Sequence, residues 1–332
     1  INWFGGKLKV EKLIRETVGY TGEIYFIPHH TSHAAATFFT SPFSDAAILT
    51  VDGVGEYTTT ALWEAKTETL TCLKAISFPH SSGLLYSTFT AFLGFEVNND
   101  EYKMMGLAAY GAPRYGDIIK SIVDLNTDGS FNLDQDFFAY QNSVDQMFSK
   151  KFIEIFGRPR KKNSPLMQHH KDIAASIQLV LEEIFITLLN HLYAETKTKN
   201  ICISGGVALN ALANGKIIKK TPFEKIHIFG PAGDSGAAIG SVLYTYNSKT
   251  PREHFYIPSL ALGNQYAQLE IDTILSDKEA ETYQTKKFEN AEKRNAYIVN
   301  LLRDGHIGGL FEGRIEFGPR ALGSRSIIAS AH

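Results

Sequence analysis

An α/β fold with mixed sheets is what the sequence predicts, on three observations. Apolar, strand-like runs alternate with helical stretches along the chain. Two tandem units, NICISGGVALNALANGKII from Asn200 and KIHIFGPAGDSGAAIGSVLYTY from Lys225, each read as strand, Gly-rich turn and helix. Their glycines fall at the C-terminal ends of the strands, the edge at which such sheets bind ligands. At about 100 to 200 residues per domain, the 332 residues predict two domains or one fold of two lobes.

The individual elements follow in order. EIYFIPH, residues 23–29, predicts a buried strand, and HHTSHAAATFF a helix packed by small residues. AAILTVDGVGEYTTTALWEA, from Ala46, predicts an apolar strand, a tight turn at Asp52 and Gly53, and a returning strand. LTCLKAISFP, from Leu70, adds a further strand; SSGLLYSTFTAFLGF predicts a helix behind a Ser cap, and EYKMMGLAAYG a short helix ending at glycine. From Asp117 to Leu166 the text is polar and irregular, which predicts an insertion or lobe linker. A long helix from Gln168 to Glu195 precedes the tandem units, residues 251–290 read as a polar connector, and the chain closes with a helix, a strand and a cationic Gly-rich loop. Ile1 in place of Met, with a helix-like stretch directly behind it, predicts that the chain is a fragment.

Composition excludes several classes of function. With 33 Lys and Arg against 35 Asp and Glu, the net charge is -2, which gives no basic stripe for a phosphate backbone and argues against nucleic-acid binding. Two cysteines, Cys72 and Cys202, make no disulfide framework or zinc-ribbon spacing, as expected of a cytoplasmic protein. No apolar run is long enough to predict a membrane span: the best helix candidate carries Glu182, Glu183 and His191.

His29 and His33, four residues apart, share one face of a helix at about 5 to 6 Å between Cβ atoms, a spacing one metal ion can bridge. No Glu follows the first His, so the zinc-protease HExxH chemistry is excluded. Asp52 and Asp234 each end an apolar strand, where a buried acid needs a cation or several donors. Two His and two Asp form a nitrogen and oxygen set suited to iron, manganese or zinc. Taken singly, each has a plain structural alternative: a helix start for the histidines, a hairpin turn for Asp52, and a helix N-cap for Asp234. Gly53 and Gly55 in DGVGE, and Gly205 and Gly206 in SGGVALN, allow backbone amides to approach phosphate or ribose oxygens, although neither matches a Walker or GxGxxG pattern. Asn210 is placed either to bond a base or sugar or to cap a helix. Lys103, Arg314, Arg320 and Arg325 lie in apolar or Gly/Pro-rich text, where the three Arg suit either an oxyanion or a salt-bridged closing loop.

Six segments in this order, PHHTSHAAATFFTSPF, LTVDGVGEYTT, NNDEYKMMGLAAYGAP, SGGVALNALANGKI, PAGDSGAAIG and GRIEFGPRALGSRSI, resemble the O-carbamoyltransferases. The first lobe is similar to the tRNA threonylcarbamoyladenosine transferase of the actin-like ATPase superfamily. The resemblance implies an actin-like, ribonuclease H-like two-lobed fold: residues 1–165 as the first lobe without its first strands, 166–250 as the second, and 251–332 as a connector and Arg/Gly-rich loop leading to a carbamoyladenylate-forming domain. It implies that such a domain makes carbamoyladenylate from carbamoyl phosphate and ATP, and that the actin-like part passes the carbamoyl group to a hydroxyl of a small natural product. This chain, ending at His332, is expected to lack the first step. Carried over by residue, the resemblance implies a metal, Fe(II), on His29, His33, Asp52 and Asp234. It implies nucleotide contacts at Gly53, Gly55, Glu56, Glu101, Lys103, Gly205, Gly206, Val207, Asn210 and Gly233, and an anion-binding loop with Arg314, Arg320 and Arg325. His30 or an unligated carboxylate is the candidate base for the acceptor hydroxyl, and a homo-oligomer is compatible with the sequence. The competing expectations are a tRNA-modifying transferase and a non-catalytic nucleotide-binding regulator.

Overall fold

The computed structural model describes residues 9–66, 69–143, 145–250, 254–276 and 284–331; the helix-like stretch next to Ile1 lies mostly outside them, as do parts of the 251–290 connector. The chain folds as an α/β protein around one mixed five-stranded sheet. After helix α1 (Val10–Val18) and helix α2 (His29–Phe39) come strands β1 (Asp45–Gly55), β2 (Thr58–Lys66) and β3 (Thr69–Ser77). Helices α3 (Ser82–Phe92), α4 (Glu101–Ala108) and α5 (Gly116–Lys120), a small ribbon of β4 (Val123–Leu125) and β5 (Phe131–Leu133), and α6 (Lys150–Phe156) lead to the long α7 (Gln168–Thr196). Then follow β6 (Asn200–Ser204), the short α8 (Ala211–Asn214) and α9 (Ile217–Lys220), β7 (Lys225–Ile228) and α10 (Asp234–Lys249). The last part holds α11 (Gln268–Leu275), α12 (Ala291–Arg303) and a hairpin of β8 (Gly308–Phe311) and β9 (Arg325–Ile328).

The sheet order is β3-β2-β1-β6-β7, with β1, β6 and β7 parallel and the β1-β2-β3 hairpins antiparallel. β1 pairs with β6 from Ala47↔Ile201 to Thr50↔Ser204, so segments on either side of residue 165 share one sheet. As the central strand it is covered on both faces, which is why its sequence is a continuous apolar run instead of an alternating one. Ala47, Leu49 and Val51 face the larger core with Leu85, Phe89, Ile177 and Leu181, whereas Ala46 and Ile48 face Ala34, Ala35, Phe38 and Trp63.

Three readings of the sequence are corrected by this fold. Residues 23–28 form no strand: Tyr25 and Phe26 are exposed, and among the described residues no neighbouring strand offers their backbone a ladder. The hairpin turn is not at Asp52 and Gly53 but at Glu56 and Tyr57, with Glu56 in the left-handed region at φ 59°. Pairing jumps from Val51↔Thr60 to Gly55↔Thr58, so Asp52, Gly53 and Val54 bulge out of the ladder. The Ser81 hydroxyl, which also caps α3 by accepting from Leu84 N, faces the bulged carbonyls of Asp52 at 3.2 Å and Gly53 at 2.6 Å. Of the two readings of residues 117–166, insertion or lobe linker, the linker is overturned: Ile119, Ile122, Phe131, Leu133, Phe138, Phe152 and Phe156 are buried in the larger core.

Two glycines set the approach of elements at the carboxyl edge of the sheet. Gly205 leaves β6 at φ 99°, and a side chain there would run into the Val51 carbonyl of β1. Gly240 lets α10 lie directly on α2, where a Cβ would overlap the Ser32 carbonyl oxygen. That contact carries the first residue of α10, Asp234, to the first turn of α2. Gly240→Ala is expected to lower stability by about 1–3 kcal/mol through overpacking, read as the midpoint of denaturant unfolding of the metal-free protein.

Candidate metal centre

His29 and His33 occupy the first and second turns of α2, behind Pro28, and the i, i+4 spacing brings their ring centroids to 4.6 Å. The β1 bulge supplies Asp52 from below, and the first residue of α10 supplies Asp234 from the side. Asp52 Oδ2 lies 3.0 Å from His29 Nε2 and 2.9 Å from His33 Nε2, and the two Nε2 atoms are 3.0 Å apart. Asp234 Oδ1 stands 3.5 Å from His29 Nε2 and 3.6 Å from His33 Nε2. One donor atom from each of the four residues falls within 4.8 Å of all the others.

These spacings fit a shared ion. Donors bound at about 2.1 Å to one ion stand about 3.0 Å apart when cis on an octahedron and about 3.4 Å apart on a tetrahedron. Two nitrogens and one oxygen converging on a common point are also hard to satisfy by protons alone, because each neutral imidazole brings a single N–H. The electrostatics point the same way. Burial would raise the Asp52 pKa, but the hydrogen bonds with His29 and His33 hold it well below the usual carboxylate range. Burial would lower His33, yet the carboxylates of Asp234 and Asp52 outweigh it and raise its pKa above the ordinary histidine value. Asp234 is drawn down by its hydrogen bond with His33, while burial and the Asp52 charge oppose this. Two ionised carboxylates beside each other call for a cation. His33 is fully buried while the Asp234 side chain is 80% exposed, so the centre is walled on the sheet side and open at α10.

The other predicted residues divide into those the fold gathers here and those it places elsewhere. Gly55 packs on the His29 ring, where a side chain would overlap the imidazole, and Gly53 N–H donates to Asp52 Oδ1 at 2.8 Å. Gly206 and Val207 form a short 3₁₀ turn after Gly205, and a Cβ on Gly206 would press on Asp52 Oδ1. Gly233 is the N-cap of α10, and Glu56 is exposed at the hairpin tip. His30 faces away from the ion-binding atoms: Nδ1 is 2.8 Å from Thr50 Oγ1, and Nε2 is 3.0 Å from the Thr58 carbonyl. Burial holds its pKa down at about 4, and with both nitrogens engaged it is not arranged as a base for the cleft.

A second polar group lies along α7. Asn210 is both helix cap and network member: Oδ1 accepts from Ala213 N, and its amide exchanges hydrogen bonds with Gln178, each at 3.0 Å. Gln178 also meets Tyr86 Oη and Glu182, and Glu182 pairs with Lys216. Glu101 accepts from Ser87 Oγ and from Asn98 N, both at 2.8 Å. Lys103 is exposed and pairs with Asp100 at 2.7 Å. The three Arg of the closing loop separate. Arg320 reaches the main body, donating to the Leu209 carbonyl at 2.8 Å with its guanidinium over the Tyr102 ring. Arg325 instead pairs with the buried Glu316 at 2.9 Å, as a salt-bridged loop requires, and Arg314 donates to the Gly263 carbonyl at 3.2 Å. Sequence reasoning passed over Gln178, Tyr86 and Ser204, whose partners come from distant segments, and read Ser81 as a helix cap without its second role on the β1 bulge; for Ser204 the one local signal was its place directly before the Gly-Gly turn.

Fold and site together define a mixed-sheet α/β protein in which two imidazoles and two carboxylates converge beside a Gly-rich turn. Residues 7–243 match the family model described as carbamoyltransferase N-terminus, and residues 299–332 the one described as carbamoyltransferase C-terminus. The chain belongs to the carbamoyltransferase family. An uncharacterized protein of Synechocystis sp. is 42% identical, over 98% of this chain and 55% of its own length. Nodulation protein NolNO of Sinorhizobium fredii is 33% identical, over 92% of this chain and 43% of its own. The 3'-hydroxymethylcephem-O-carbamoyltransferase of Streptomyces clavuligerus is 24% identical, over 75% and 42%. This chain spans about half the length of the curated relatives it matches. No helix among the described residues is long and apolar enough to cross a membrane.

Loss of a donor should show as loss of metal. Replacing Asp234 with Asn, or His33 with Ala, is expected to weaken binding of Fe(II), Mn(II) or Zn(II) by about 100-fold or more, since loss of an outer-shell partner alone costs 10- to 100-fold. Elemental analysis after dialysis reads the outcome; unchanged metal content in both variants contradicts the assignment.

Proposed function

We propose that this chain transfers a carbamoyl group from carbamoyladenylate to a hydroxyl of a small-molecule acceptor, at the His29, His33, Asp52 and Asp234 centre. The observation that carries the reading is the convergence of these four donors beside the Gly205-Gly206 turn, in a chain of the carbamoyltransferase family. A relative named as a cephem O-carbamoyltransferase supports an alcohol oxygen as the acceptor atom. The nitrogen and oxygen donor set suits iron, manganese or zinc, and Fe(II) is our assignment by resemblance. His29, His33, Asp52 and Asp234 would hold such an ion, and it would supply Lewis acidity toward a carbonyl or phosphate oxygen.

The chain's own residues do the rest. His29 and His33, on consecutive turns of one helix, and Asp52, pinned by the bulge, form a rigid wall of the pocket. Gly206 and Val207 open the 3₁₀ turn with backbone amides toward the same edge, where phosphate oxygens are bound in this reading, while Gly205 N–H is held by the Ala232 carbonyl and keeps the turn in place. We assign the adenylate to the space between this turn and the Asn210, Gln178 and Tyr86 network, with Gly53, Glu101, Lys103 and Gly233 around it. Arg320, already anchored on Leu209, then lies on the nucleotide side as an anion partner. Carbamoyladenylate itself would come from carbamoyl phosphate and ATP, a step we place in the part of the longer relatives that this chain does not span.

The test supplies preformed carbamoyladenylate and a panel of hydroxylated acceptors to the metal-loaded chain, and follows AMP release with the mass of the acceptor. The expected result is AMP release coupled to gain of one carbamoyl group, reduced by about 100-fold or more in Asp234→Asn. Acceptor-independent hydrolysis alone, at equal rate in variant and wild type, contradicts the proposal.

A further inference from the structure

His33 and His30 lie three residues apart on α2, and both are buried. Each Nδ1 faces a hydroxyl that also reaches a backbone carbonyl, Ser204 toward Ala232 and Thr50 toward Ala61 at 3.3 Å, but their Nε2 atoms meet different partners. His30 Nε2 faces the Thr58 carbonyl at 3.0 Å, and a carbonyl can only accept, so this nitrogen carries the proton and Nδ1 accepts from the Thr50 hydroxyl. At His33 the carbonyl stands one bond further back. His33 Nδ1 is 3.2 Å from Ser204 Oγ, and Ser204 Oγ in turn lies 3.0 Å from the Ala232 carbonyl oxygen. Ser204 is 1% exposed, so no solvent competes for its hydroxyl. When its single proton is given to Ala232, the oxygen can only accept on the imidazole side, and Nδ1 must be the nitrogen that bears hydrogen. Nε2 faces the Asp52 carboxylate oxygen at 2.9 Å, an acceptor that holds a hydrogen there until an ion replaces it and takes the Nε2 electron pair, while Nδ1 keeps its hydrogen toward Ser204.

We propose that Ser204 is a positioning residue that fixes His33 in its Nδ1–H tautomer and so makes Nε2 the ion-binding atom. This inference rests on the metal centre proposed above and deepens it. The same hydroxyl joins three elements that build the centre. Ser204 closes β6, His33 belongs to α2, and Ala232 lies in the turn that delivers Asp234; Gly205 N–H, donating to the same Ala232 carbonyl at 2.8 Å, keeps that turn in place. In the opposite tautomer the Ser204 proton turns to Nδ1, and a hydrogen on Nε2 points into the cluster where the ion would bind. Partners of this kind set ligand orientation, and their loss costs about 10- to 100-fold in metal affinity.

The experiment uses the full chain, Zn(II) alone as probe, and two readouts that do not involve activity. Zinc affinity is measured by chelator competition for wild type, Ser204→Ala and Ser204→Thr, alongside thermal unfolding of each metal-free protein. Nitrogen-15 shifts of His33 in the zinc-loaded wild type report which nitrogen is protonated, whether or not a variant folds. The expected result is about 10- to 100-fold weaker zinc binding in Ser204→Ala, recovery by the Thr hydroxyl, metal-free melting close to wild type, and a proton on Nδ1. Wild-type affinity in Ser204→Ala, or zinc bonded through Nδ1 of His33, overturns the role of Ser204 and leaves the metal centre standing. Failure of the wild type to bind zinc at all overturns the metal centre, and the inference with it.

Discussion

Two imidazole nitrogens and one carboxylate oxygen, held within 3.0 Å of one another, impose the constraint on which the rest of the structure depends. Such a cluster is costly without a cation or protons to share, because the Asp52 carboxylate is drawn into its ionised form and Asp234 adds a second negative charge. The cost is met by rigidity in the surroundings. The central strand β1 is locked between β2 and β6, and its bulge re-aims Asp52 out of the ladder. Ser81 secures the bulged backbone from the N-terminus of α3, while the close α2–α10 packing at Gly240 brings in Asp234.

The surroundings also explain why neighbouring polar residues play different parts. His30 is adjacent in sequence to His29 but is turned to Thr50 and Thr58, where it ties α2 to both central strands. Trp63 donates to the same Thr50 hydroxyl, so the buried hydrogen bonds on that face form a chain. On the opposite face of the sheet, Gln178 joins Tyr86, Asn210 and Glu182, which links α3, α7 and the segment behind the Gly-rich turn. The loop at residues 312–324 closes over this side through Arg320, with its own shape held by Glu316, which accepts from Leu322 N, Ser324 N and Arg325.

The four donors were legible in the sequence because each carries a local signature. His29 and His33 have helical spacing, and Asp52 and Asp234 follow apolar strands. The alternation of strand and helix from Asn200 onward, and the placement of glycines at strand ends, were legible for the same reason. What escaped is decided by long-range contact. Asp52-Gly53 has the local chemistry of a turn, but the histidines and Ser81 hold it as a bulge, and the chain reverses at Glu56 instead. Residues 117–166 lack one sustained apolar period, because their aromatic residues meet the core from short separate pieces: Phe131 from β5, Phe152 and Phe156 from α6, and Phe138 from the segment between them. Residues 23–28 have the composition of a strand and no partner strand among the described residues. Ser204 carries only the local signal of a Ser directly before Gly205-Gly206, and its role is set by partners 171 residues before it and 28 after it.

The central claim is that one ion occupies the space bounded by His29, His33, Asp52 and Asp234. The most direct measurement is anomalous diffraction from crystals of the chain grown with Fe(II) or Zn(II). The account predicts a single strong peak at about 2.0–2.3 Å from Nε2 of both histidines and from carboxylate oxygens of Asp52 and Asp234. A peak elsewhere, with His29 and His33 still hydrogen-bonded directly to Asp52, contradicts it.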